Sequence, residues 1–138
     1  MLRIALYIGL TLLLFPFSAF ASDVDKELCE VFSTQEKEMA KKLPYRIGEF
    51  WLNTQYFVSC SQKTLFIVKK HTVLKVNEFE ATVEQDFKSQ MVNSPMCKSP
   101  LFQSETGWTI NITLHDVEGV YVTNARINYE TCKQAAGK

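Results

Sequence analysis

The stretch Trp108-Thr109-Ile110-Asn111-Ile112-Thr113-Leu114-His115 alternates apolar and polar residues without a miss. A period of two is the pattern of a strand with one face in a core and the other toward solvent. A turn signal at Asp116-Val117-Glu118-Gly119 follows, and Val120 to Cys132 reads as a partner strand, which predicts an antiparallel hairpin. A lone hairpin is barely stable in water. The earlier segments must therefore cover its apolar side, Trp108, Ile110, Ile112 and Leu114.

From Val24 the apolar residues Val24, Leu28, Val31, Phe32, Met39 and Leu43 keep the one-face spacing of a helix that Pro44 should end. After the Pro44 to Gly48 corner, Phe50, Leu52, Tyr56, Val58 and Cys60 share one parity, so Glu49 to Cys60 reads as a strand. Thr64 to Leu74 is rich in β-formers without clean alternation, as in a strand covered on both faces or carrying a bulge. Asn77 with Glu80 offers an N-terminal cap for a second helix, whose apolar positions are Phe79, Val83, Phe87 and Met91. Met96 to Gly107 is a connection with one helical turn near Leu101 and Phe102. The fold class is α+β: helices packed on one antiparallel sheet of about four strands, in the order α-β-β-α-β-β.

Arg3, the apolar run Ile4 to Phe17 and the small-residue site Ala19-Phe20-Ala21 have the three parts of a secretory signal. Residues 1–21 are therefore read as a signal peptide and 22–138 as a single disulfide-stabilised domain. No cysteine stands near the expected cleavage point for acylation, and no membrane anchor is expected after cleavage. The whole chain balances 15 basic against 15 acidic residues, and loss of the leader removes only Arg3. Near neutrality argues against nucleic acid as a partner. The four cysteines Cys29, Cys60, Cys97 and Cys132, in an exported chain, imply two disulfides and the periplasm or the exterior. They form no C-x-x-C pair, so no metal site is expected. Spacing leaves three connectivities open. Cys29–Cys60 with Cys97–Cys132 is favoured, because each bond would join a helical segment to a strand, and such loops contribute roughly 3 to 4 kcal/mol each.

The Leu43-Pro44 helix exit, the hairpin after it, and the pattern from Cys97 through Gly107 and Asp116-Val117-Glu118-Gly119 to Cys132 are similar to small exported bacterial proteins of cystatin-like or NTF2-like build. That resemblance implies a helix on a curved antiparallel sheet and a binding or regulatory role. Gln90-Met91-Val92-Asn93-Ser94 lacks the glycine of the cystatin inhibitory loop and lies at a helix end, so protease inhibition is not carried over. No acidic and histidine set matches an NTF2-like enzyme pocket.

Both histidines, His71 and His115, read as solvent-facing strand residues without an orienting partner. No nucleophile elbow, zinc-protease helix, phosphate loop or calcium loop is present, so neither catalysis nor a cofactor is expected. Glu78, Glu80, Glu84 and Asp86 against Lys69, Lys70 and Lys75 read first as solvated faces. Trp51 and Phe57 fall on the polar side of the first strand, with Tyr45 nearby, and this trio is the expected partner face. The function expected is a periplasmic, non-catalytic module that binds another periplasmic or envelope protein, an immunity-type inhibitor of a toxic enzyme in the first instance. The alternatives are an accessory factor of an envelope secretion or pilus system, a small-ligand binder with Phe50, Phe66, Phe87 and Trp108 around a pocket, and an NTF2-like enzyme.

Overall fold

Three helices and five strands occur among the described residues, 16–137, of the computed structural model. They are α1 (Pro16–Ala40), β1 (Tyr45–Ile47), β2 (Trp51–Ser59), β3 (Thr64–His71), α2 (Val83–Val92), β4 (Thr109–His115), β5 (Tyr121–Ile127) and α3 (Tyr129–Ala136). Short 3-10 turns lie at Val76–Glu78, Pro95–Lys98 and Pro100–Phe102. Residues 1–15, most of the expected leader, lie outside the described residues. Among those described, no helix is long and apolar enough to cross a membrane.

The strands form one sheet in the order β1-β2-β3-β4-β5. Neighbours are antiparallel except β3 and β4, which run parallel, with Thr64 opposite Thr109 and Lys70 opposite His115. This corrects the expected antiparallel sheet of about four strands, and with it the all-antiparallel sheet of a cystatin-like build. A parallel pair needs a crossover of a dozen or more residues. Residues 72–108, with α2 inside them, are that crossover. The fifth strand is the short β1, which pairs with Trp51–Asn53 across the turn at Gly48, a residue at φ 66° where a side chain would be strained.

The apolar side of β4 is divided between helices. Trp108, just before the strand, packs its ring 5.1 Å from that of Phe32 on α1, joined by Leu65 of β3 and partly buried Leu28. Ile112 and Leu114 instead meet Phe87 and Met91 of α2, with Ala125 and Ile127 of β5 and Cys132 of α3. Full burial of a side chain such as Ile112 contributes roughly 1.5 to 3 kcal/mol. Beyond the three-residue β1, the outer edge of β2 has no strand partner among the described residues, and α1 covers it: Val58 donates its N–H to Glu36 Oε2 at 2.9 Å, and Tyr56 its hydroxyl to Gln35 Oε1 at 2.9 Å.

Two boundaries differ from expectation for local reasons. α2 starts at Val83, because Glu78, one turn earlier, spends its carboxylate on the Lys75 N–H and closes the Val76–Glu78 turn; the Asn77 and Glu80 cap does not form. The last strand ends at Ile127, and Cys132 lies on a helix. Asn128 accepts the Thr131 N–H at 2.9 Å while Thr131 accepts the Asn128 N–H at 2.9 Å, a reciprocal cap that begins α3. The disulfides join Cys29 of α1 to Cys60 after β2, and Cys97 in the crossover to Cys132 of α3, with Cα separations of 5.6 and 5.3 Å.

Candidate functional site

The expected partner face is not one surface. A bulge between Asn53 and Gln55 shifts the register of β2 against β3, so side chains before and after it exchange faces. Trp51 and Asn53 therefore point to the helix side together with Tyr56 and Val58, and Tyr45 joins them through its hydroxyl, which accepts from Asn53 Nδ2. Phe57 points to the opposite, helix-free side, 42 % exposed and stacked on its cross-strand neighbour Phe66 with centroids 4.7 Å apart. Phe50 is exposed, Phe66 is on the outer side, and Phe87 and Trp108 belong to different core clusters, so these four enclose no common pocket.

On the helix side, α1 covers one end of the sheet and α2 packs over β5, which leaves a cleft of about 580 Å³. Its floor is Ile47, Trp51, Lys69 and Leu114, and its wall is Phe79, Val83, Phe87 and Met91. Glu78, Glu80 and Asp86 stand along the same margin. A larger depression of about 1060 Å³, between α2, β5 and α3, is lined mostly by exposed polar side chains, with Lys88 already paired to Glu84. An apolar floor with few polar groups is the usual composition of a binding site, so the smaller cleft is the stronger candidate.

Among the described residues, Lys69 is the one basic side chain lining this cleft. Burial pushes its ammonium pKa below the usual lysine value, and it takes part in no ion pair among the described residues. Opposite it in the ladder is Asn53, 5 % exposed, whose Oδ1 has no hydrogen-bond partner among the described residues. Glu80 and Asp86 likewise make no ion pair among the described residues. The neighbouring basic residue Lys70 pairs with Leu52 on the other face of the sheet, so the lysine run of β3 is split between the two sides.

His71 sets the shape of the cleft from behind. Far from facing solvent, it is 6 % exposed. Its Nδ1 accepts the Val73 N–H at 3.0 Å and the Leu74 N–H at 2.8 Å, which makes it a neutral imidazole protonated on Nε2. Trp51 and Phe79 meet the ring edge-on at 4.7 and 5.4 Å, and Phe50 stacks on it at 5.8 Å. One side chain thus positions three residues of the cleft, Trp51, Leu74 and Phe79. Nothing in the local sequence marks His71. Its burial follows from pairing with Trp51 at the end of the β2–β3 ladder.

Burial holds the His71 pKa below its ordinary 6.5. A lowered histidine pKa means the unfolded chain takes up the proton first, so this contribution to stability is complete above pH 6.5 and is lost as pH falls from there to the depressed folded value. We expect the melting temperature to fall between roughly pH 7 and pH 5, and this part of the fall to vanish in His71→Asn, whose Oδ1 can replace Nδ1 as acceptor. Circular-dichroism melts at matched ionic strength check this; equal slopes in both proteins would refute it.

No family model and no curated protein matches the sequence. Solved structures do. The chain is similar to a secreted protein from Pseudomonas aeruginosa, with a TM-score of 0.61 and 17 % identity over 78 % of this chain and 95 % of that one. It is similar to EpsS, a type 2 secretion system pilotin from Vibrio vulnificus, with a TM-score of 0.59 and 16 % identity over 80 % of this chain and 96 % of that one. AspS, the type II secretion system pilotin from Vibrio cholerae, gives 0.57 and 14 % over 80 % and 97 %. At these identities the likeness is one of fold.

Proposed function

We propose that this protein is an exported, non-catalytic accessory factor of an envelope secretion system, and that it acts by holding a segment of a protein partner in the cleft between α2 and the sheet. The observation that carries this reading is the cleft itself: its floor and wall place Trp51, Phe79, Phe87, Met91 and Leu114 around an opening on a fold shared with two pilotins. Trp51 and Phe79 are half-buried at this opening, above the core residues Phe87, Met91 and Leu114, and aromatic side chains so placed supply contact area at low entropic penalty. The two pilotin neighbours weigh toward the secretion role over an immunity-type inhibitor, which would use the same mode of action on a different partner. The leader-like sequence of residues 1–21 and the two disulfides support an extracytoplasmic location, the periplasm first.

The test is a photocrosslinking amino acid placed at Val83 in the cleft or at Phe57 on the helix-free side, in cells that make the full chain. We expect the Val83 variant to capture a component of a secretion apparatus, and deletion of the gene to lower the amount of exported enzymes in the medium. Capture of a toxic enzyme would replace this reading with the inhibitor. Capture from Phe57 alone would move the binding surface to the other side of the sheet.

A further inference from the structure

Lys69 is a cation on an apolar floor without an anion. A lysine placed beside Trp51, Phe87 and Leu114 gives up part of its hydration, and nothing among the described residues returns it through an ion pair. The acids of the cleft stand on the side formed by α2 and the segment leading into it: Glu78 spends its carboxylate on the Lys75 N–H, while Glu80 and Asp86 are unpaired among the described residues. The cleft therefore has a positive floor and a negative rim. A partner that completes it must carry the opposite arrangement.

We infer that the segment held in this cleft sets apolar side chains against Trp51 and Phe79, lays a carboxylate on Lys69, and turns basic residues toward Glu80 and Asp86. This rests on the reading of the cleft as a protein-binding site and adds the chemistry of the occupant. A charge-assisted hydrogen bond at a partly dry floor is about twice as strong as a neutral one, so the acid selects among apolar segments that would otherwise bind alike. The acidic rim adds orientation, since a reversed segment would bring like charges together.

The probe is a set of three synthetic amphipathic helical peptides with one apolar face and lysines at the flanks, alike except for Glu, Gln or Lys at the centre of that face. Binding is read from Trp51 fluorescence, with Trp108, 2 % exposed, as a constant background. We expect the wild-type chain to bind the Glu peptide about tenfold more tightly than the Gln peptide, and the Lys peptide least. Lys69→Met should abolish the Glu preference, read as the ratio of Glu-peptide to Gln-peptide affinity, while Lys69→Arg, which retains the charge, should keep it. Equal binding of Glu and Gln peptides by the wild-type chain, or a preference that survives in Lys69→Met, overturns the inference and leaves the cleft reading standing. Failure of all three peptides to bind also overturns it, and crosslinking from Val83 then decides the cleft reading by itself.

Discussion

Replacing Asp116 with alanine is expected to destabilise this protein more than any other change at a single polar residue. Asp116 is 0 % exposed. Its Oδ1 accepts the N–H groups of Glu118 and Val120 at 2.9 and 2.8 Å, and its Oδ2 accepts that of Val76 at 2.9 Å. Alanine would leave three backbone donors without their acceptor at a site with no room for bulk water, and each such donor carries a substantial desolvation penalty. The expected fall in melting temperature exceeds about 10 °C. Asp116→Asn, which can accept on one side only and presents an NH₂ group on the other, should fall between the two. A loss of only a degree or two in Asp116→Ala would refute this account.

The same carboxylate joins two distant parts of the chain. The β4–β5 turn hangs on Oδ1, and the Val76–Glu78 turn, which leads into Phe79 and the cleft wall, hangs on Oδ2. The Val117 N–H donates to the Leu74 carbonyl at 2.9 Å beside it. Burial by itself would raise the Asp116 pKa, but N–H donors from Val120, Val76, Glu118 and Gly119 outweigh it and hold the carboxyl below its ordinary 3.8. A lowered carboxyl pKa gives stability that is present above about pH 4 and is lost as pH falls through the folded value. Acid unfolding should then show a second step below the one that belongs to His71, and Asp116→Asn should lack that lower step.

How far these features can be read from the residues depends on whether each is decided locally. The alternation of β4, the Asp116 to Gly119 turn, and the Phe87 and Met91 stripe of α2 depend on neighbours in sequence, and all are present in the structure. The parallel pairing of β3 and β4 is not local, although a helix between two strands is itself the sign of a crossover. The bulge after Asn53 is settled by which residues of β3 it meets, and one inserted residue was enough to send Trp51 and Phe57 to opposite sides. The start of α3 was legible in principle, since Asn128 and Thr131 have the spacing of a reciprocal cap. The cleft was the least legible feature, because it draws on β1, β2, β3, β4 and α2, five elements spread from Ile47 to Leu114. Lys69 and Glu80 stood in the sequence as ordinary solvated charges, and only the parity of β3 against α2 brings them to one opening.

Removing the Cys97–Cys132 bond is the second change expected to have a large effect, and it reaches the cleft. Its residues are 35 apart, and a loop of that length contributes about 4 kcal/mol in the chain-entropy model. Cys132 also sits in the core with Phe87, Met91 and Ile127, so Cys97→Ala with Cys132→Ala loses packing as well as the crosslink. The Cys29–Cys60 bond closes a loop of similar length, 31 residues apart, but Cys60 is exposed and its loss opens no comparable gap in that core. Urea melts should therefore place the Cys97/Cys132 double variant below the Cys29/Cys60 double variant, both below the wild-type chain. The order follows from burial, because chain entropy alone would make the two nearly equal. The functional consequence separates them further: α2 is the wall of the cleft, and the crossover that follows it is anchored to α3 by this bond alone among the disulfides. In cells grown at a temperature where both purified variants remain folded by far-ultraviolet circular dichroism, crosslinking from Val83 should be lost in the Cys97/Cys132 variant and retained in the other. Retention in both would mean that α2 is held by its contacts with β5 and the sheet without help from the disulfide.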